Sequence, residues 1–125
     1  MNLIEQLGGY EAAKSKCDRA NKEGYLLLSV PVQNGFGDIY VYKVEAALLE
    51  YRRQHNIFEA GDVAVSVDGE PYLHKVELGT LKAHCIKIFS HDMAHSYWVH
   101  DVNYRHATDE EIKAGKRLGL TNGKI

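Results

Sequence analysis

The chain is poor in the features that name a function outright. It has two cysteines, two prolines and one tryptophan in 125 residues. Cys17 and Cys85 form no Cys-x-x-Cys pair, so neither a disulfide framework nor a thiol-clustered zinc site is indicated, and two buried thiols in a reducing compartment are expected. No apolar run approaches the roughly 20 residues of a membrane span. The opening Met1-Asn2-Leu3-Ile4-Glu5 has no basic stretch followed by an apolar one, so no signal peptide is expected. No surplus of either sign exists. The net charge is −2, with seven basic and seven acidic residues in 1–56 and eight and ten in 57–125. A duplex-binding domain draws most of its affinity from phosphate neutralisation and shows a basic excess, and a DNA mimic needs an acidic one. Repeats and low-complexity stretches are absent too.

What is present is an ordinary globular composition, 45% hydrophobic and 26% charged. A short helix begins at Asn2, with Glu5 in capping-box position, and stops at Gly8-Gly9. A second helix runs from about Tyr10 to Asn21, with Tyr10, Ala13, Cys17 and Ala20 on one stripe, and ends at Glu23-Gly24. Tyr25–Val32 and Ile39–Val44 read as strands joined by the glycine-rich turn Gln33–Asp38. A helix from about Glu45 to Gln54 buries Ala47, Leu48 and Tyr51. Beyond Ile57, alternating Val63–Val67, Tyr72–Leu78, Ala83–Phe89 and His95–Val102 read as short strands. A last helix is capped by Thr108 with Glu111 completing the box, and is expected to stop at Gly119, with a frayed end from Thr121. The fold expected is α+β. An N-terminal helix–β-hairpin–helix unit (1–56) packs with a C-terminal β-rich unit (57–125). The latter is a small curved antiparallel sheet, SH3-like, closed by the terminal helix, and the two units make one compact domain.

Three segments carry a resemblance: "MNLIEQLGGYEAAKSKC", "LLEYRRQHNIFEAGD" and "RHATDEEIKAGKRLGL". As a set they resemble small uncharacterised accessory proteins of tailed bacteriophages of enteric bacteria, over about a third of the chain. That group has no assigned enzymatic activity, so the resemblance implies no catalytic residue. It implies an accessory product working in the host cytoplasm, of the kind that disarms a host defence or redirects a host enzyme.

The residues themselves offer several constellations. Five of seven histidines fall between His84 and His106. His91, Asp92 and His95 have a spacing that would bind zinc on a helix, but the segment reads as a turn. Cys85 could pair with His95 or His100 across a hairpin as a nucleophile, although the adjacent His84 points to the opposite strand face. Gly35-Phe36-Gly37 lacks the lysine and helix of a phosphate cradle, and a hairpin turn accounts for it. Tyr97, Trp98, Tyr104 and Arg105 are the candidate binding residues, because Trp, Tyr and Arg dominate interface hot spots. Tyr40 and Tyr42, on one strand face opposite Val41, suit an interface with a partner or a second copy. The leading expectation is a non-enzymatic protein that binds a host protein, without cofactor or membrane attachment, with a homo-oligomer allowed. The alternatives are a small-barrel nucleic-acid-binding module, which the charge disfavours, and a small hydrolase or lyase using the histidine group or Cys85.

Overall fold

The computed structural model describes residues 2–79 and 84–118. The chain divides into two compact units, Met1–Gln54 and His55–Ile125.

The N-terminal unit opens with α1, Leu3–Gln6, where the Glu5 N–H donates to Asn2 Oδ1 at 2.9 Å. Gly8 and Gly9 both adopt positive φ, which breaks the helix and lets α2, Tyr10–Glu23, start in a new direction. Ala13, Cys17 and Ala20 are buried at i, i+4, i+7 spacing, as the stripe required. Gly24 closes α2 in the left-handed conformation.

The hairpin that follows is tighter than the sequence suggested. Strand β1 is Leu27–Val32, the turn is Gln33–Asn34, and β2 is Gly35–Tyr40. Helix α3, Val41–His55, therefore begins earlier than expected and takes Tyr42 out of the strand. The reason is a period ambiguity. Val41-Tyr-Lys-Val44 alternates imperfectly as a strand, but Val41, Val44 and Leu48 make an i, i+3, i+7 stripe, and all three are buried. This unit's core is apolar: Ile4, Leu7, Ala13, Cys17, Ala20, Val30, Val41, Val44 and Leu48. Tyr10 stacks on Tyr51 at its margin with centroids 5.0 Å apart, and Arg52 donates to the Tyr10 hydroxyl at 3.2 Å.

The C-terminal unit is a five-stranded antiparallel sheet. Its strands are β3 Val63–Ser66, β4 Leu73–Leu78, β5 Cys85–Phe89, β6 Ser96–His100 and β7 Tyr104–His106. Their order is β6-β5-β4-β3-β7. A 3₁₀ turn, Asp101–Asn103, joins β6 to β7, which crosses back to pair with β3. The last expected strand, His95–Val102, thus ends early and gives way to a turn and a further strand of three residues. Two other expectations also shift. The valines of β3 do not sort into a wet and a dry face, because Ala64, Val65 and Ser66 are all buried in a strand flanked on both edges. Helix α4 is Asp109–Ala114, ended by left-handed Gly115 rather than by Gly119, so Lys116 and Arg117 lie beyond its last turn. Ala83, Gly119 and the tail from Thr121 lie outside the described residues.

This unit's core is mixed. Phe58, Ala64, Val76, Ile86 and Ile88 form its apolar centre. Ala64 sits opposite His74 on one side and His106 on the other, and both imidazoles are buried. The His106 ring stacks on Phe58 with centroids 4.4 Å apart, and its Nε2 donates to the Ile57 carbonyl at 2.6 Å. No helix among the described residues is long and apolar enough to cross a membrane.

Candidate functional site

Strand β6 is built from Ser-Tyr-Trp-Val-His, a β-favouring run, and it forms an edge of the sheet. Its pleat sets the chemistry. Tyr97 and Val99 stand opposite Ile88 and Ile86, on the core side. Trp98 and His100 stand opposite Lys87 and Cys85, on the other side. Trp98 does not fill the core and is 49% exposed. Lys87 Nζ lies 5.9 Å from the Trp98 ring centroid and 3.4 Å from Glu77 Oε2, so a cross-strand ammonium supports the indole from one side.

Tyr97, 40% exposed, belongs to a different group, on the core side. Burial, then the nearby Glu70 carboxylate, push its hydroxyl above the ordinary tyrosine range. Tyr104 is pushed up to about 12 by burial first, then by Tyr97, Glu70 and Asp68. The Tyr104 ring meets His74 edge-on at 6.0 Å. His74 Nδ1 donates to the Phe89 carbonyl at 3.0 Å, an assignment that follows because a carbonyl only accepts. Its Nε2 meets the Glu70 carboxylate. His74, Glu70, Tyr97 and Tyr104 thus form one polar–aromatic cluster. With both ring nitrogens occupied and the ring buried, His74 is not placed to act as a base on an external substrate.

Arg105 has a third role. Its Nη1 and Nη2 donate to Glu111 Oε1 and Oε2 at 2.8 and 2.9 Å, and Nη1 also reaches the His106 carbonyl at 2.9 Å. This pair ties α4 to β7. The four candidate binding residues therefore do not make one rim. Trp98 and Arg105 lie on opposite edges of the sheet, Arg105 is committed to a buried carboxylate, and Tyr97 and Tyr104 face the core side. The sequence offered no hint of Glu111 as anything but a capping residue. The only signal for His74 was its alternation with Val76, which places it on the apolar face of β4.

The remaining candidates are also separated. His91 stacks on Tyr72 with centroids 4.0 Å apart. Asp92 accepts from Ser90 Oγ at 2.5 Å and from the Ala94 N–H at 2.9 Å, bonds that close the β5–β6 turn and hold its carboxyl below the usual range. His95 follows in the same turn. No group of three His, Cys, Asp or Glu side chains among the described residues has the geometry to hold a metal ion. Cys85 and His100 are register partners and share a face, the cross-hairpin arrangement that a thiol–imidazole pair needs. His84 sits apart, in the left-handed conformation, with Nδ1 3.5 Å from buried Asp101. Those two line a shallow depression of about 470 Å³ with His55, Asn56 and Val102. Asn56 Nδ2 braces its floor by donating to the Asp101 and Tyr104 carbonyls at 3.1 and 3.0 Å.

Compared with known proteins, the chain matches no family model, no curated protein and no solved structure.

Proposed function

We propose that the protein is a non-enzymatic accessory protein that acts by binding another protein, with the β6 edge as its contact surface. One observation carries the reading. The single tryptophan stands half-exposed on an edge strand whose outer side no described strand pairs. An extended segment of a partner can hydrogen-bond to such an edge while Trp98, braced by Lys87, supplies the anchor. Tyr97 adds apolar area on the opposite face of the same strand. The order of β3 to β7, with a 3₁₀ turn leading into a last strand that returns to β3, supports an SH3-like reading of the unit. The near-zero charge favours protein over nucleic acid. The resemblance to phage accessory proteins supports a host protein as partner, in the host cytoplasm, within a defence or nucleic-acid-processing system.

The test is a tagged pull-down from an enteric-host lysate, with and without nuclease, comparing wild type with Trp98→Ala and Tyr97→Ala. One or two stoichiometric proteins that survive nuclease and are lost with Trp98→Ala are expected. Retention of those proteins by a folded double variant would sink the surface assignment. Enrichment that vanishes with nuclease would move the function to nucleic acid.

A further inference from the structure

The β1–β2 hairpin has one covered face and one bare face. Leu28, Val30 and Ile39 pack inward on the helical core. The outward rows are Leu27 opposite Tyr40, Ser29 opposite Asp38, and Pro31 opposite Phe36. Phe36 is 77% exposed, Tyr40 50% and Leu27 45%. Tyr42, 63% exposed, packs its ring 5.4 Å from Tyr40 and extends the patch. With Pro31, these side chains present on the order of 600 Å² of largely apolar surface, the upper end for a monomer and close to the roughly 800 Å² each partner gives a standard interface.

We infer that this face is where two copies of the chain meet, sheet face against sheet face. Edge-to-edge pairing through β1 is disfavoured. In a hairpin turning at Gln33–Asn34 the Val32–Gly35 pair is the hydrogen-bonded one, so Pro31 falls at the alternate position and its nitrogen, without a hydrogen, faces the open edge. Charge then selects the symmetry. A two-fold axis across the strands would set each Asp38 against its own copy. An axis along the strands sets Leu27 on Tyr40 of the second copy, Pro31 on Phe36, and Ser29 on Asp38. The last contact lets each Ser29 hydroxyl donate to the other chain's carboxylate. The stripe is self-complementary in that arrangement, as an isologous interface requires. This surface is independent of the β6 edge.

The experiment is sedimentation of the full chain over a wide concentration range at neutral pH and low salt. Wild type is expected to be a dimer. Phe36→Glu and Tyr40→Glu should each weaken it by roughly a hundredfold with unchanged circular dichroism, because both side chains are exposed in the free chain. Ser29→Asp should weaken it by roughly tenfold and Ser29→Lys should tighten it, since each new charge faces Asp38. A chain that stays monomeric at the highest concentration overturns the inference, as does a dimer indifferent to Phe36→Glu and Tyr40→Glu. Ser29→Asp and Ser29→Lys shifting the affinity in the same direction overturns it too.

Discussion

Replacing Glu111 with Gln should cost the C-terminal unit about 3 kcal/mol at neutral pH, and the loss should disappear in acid. The carboxylate is buried and accepts two bonds from Arg105 at 2.8 and 2.9 Å, one from the Thr108 N–H at 3.0 Å and one from the Leu118 N–H at 2.8 Å. These bonds, those from Arg105 foremost, outweigh the opposing effect of burial and lower its pKa from 4.5 to about 2. A folded value below the unfolded one means stability that is present above pH 4.5 and lost as pH falls toward 2. At about 1.4 kcal/mol per unit, that difference is about 3 kcal/mol. Gln keeps the shape and removes the charge, and it turns an amide nitrogen toward a guanidinium or a backbone donor. The assay is urea unfolding followed by fluorescence. The only tryptophan, Trp98, lies in the same unit, so the signal reports this unit directly. The gap between wild type and Glu111→Gln should hold from pH 7 to about 5 and then narrow steadily. A gap of the same size at pH 7 and pH 2.5 would refute the reasoning and assign the stabilisation to shape rather than charge.

Other outcomes follow from single residues. Gly79→Ala should destabilise the C-terminal unit by about 1–3 kcal/mol in the same melt, because a Cβ there collides with the Phe58 carbonyl and backbone cannot step aside. In alkaline titration, tyrosinate absorbance should show Tyr104 ionising last, near pH 12; since its folded value lies above the ordinary 10, its contribution to stability is intact below pH 10 and fades as pH rises through 12. Native alkylation should label half-buried Cys85 well before Cys17, whose thiol is pushed up to about 11 by burial and then by Glu45 and Asp18; equal rates would mean that α2 opens readily. Trp98→Ala, which removes the fluorescent reporter and is therefore followed by circular dichroism, should lower the unfolding free energy by less than about 1 kcal/mol, since a half-exposed edge residue contributes little packing; a larger loss would make Trp98 structural.

Local signals were the legible ones. Thr108-x-x-Glu111 named a helix start, Gly24 a helix stop, and the Ala13–Cys17–Ala20 stripe a buried face, because each rests on contacts between near neighbours in sequence. The β2–α3 boundary is hard to place from sequence because the β-branched and aromatic run Ile39–Val44 favours a strand, while the i, i+3, i+7 stripe of Val41, Val44 and Leu48 favours a helix and decides the outcome only through its burial. Strand β7 was missed because three residues carry no period at all, and only pairing with β3 makes Tyr104–His106 a strand. The grouping of the candidate residues was illegible for the same reason. Grouping Tyr97, Trp98, Tyr104 and Arg105 assumed that nearness in sequence meant one surface, whereas the pleat of β6 and the crossover to β7 divide them between faces and edges. Arg105 looked like an interface residue because its partner, Glu111, already had a local explanation as half of a capping box.

The two cores differ in kind, and heat capacity should expose the difference. Every buried polar residue among those described lies after Gln54: Asp62, Ser66, His74, Asp101, His106 and Glu111. Hydration of apolar surface on unfolding raises heat capacity, and hydration of polar surface lowers it. The N-terminal unit, with its wholly apolar core, should therefore follow a sharply curved stability profile that weakens on cooling. The C-terminal unit should follow a flatter one. In a single calorimetric scan, one chain would then carry a half that is sensitive to cold and a half that is sensitive to acid.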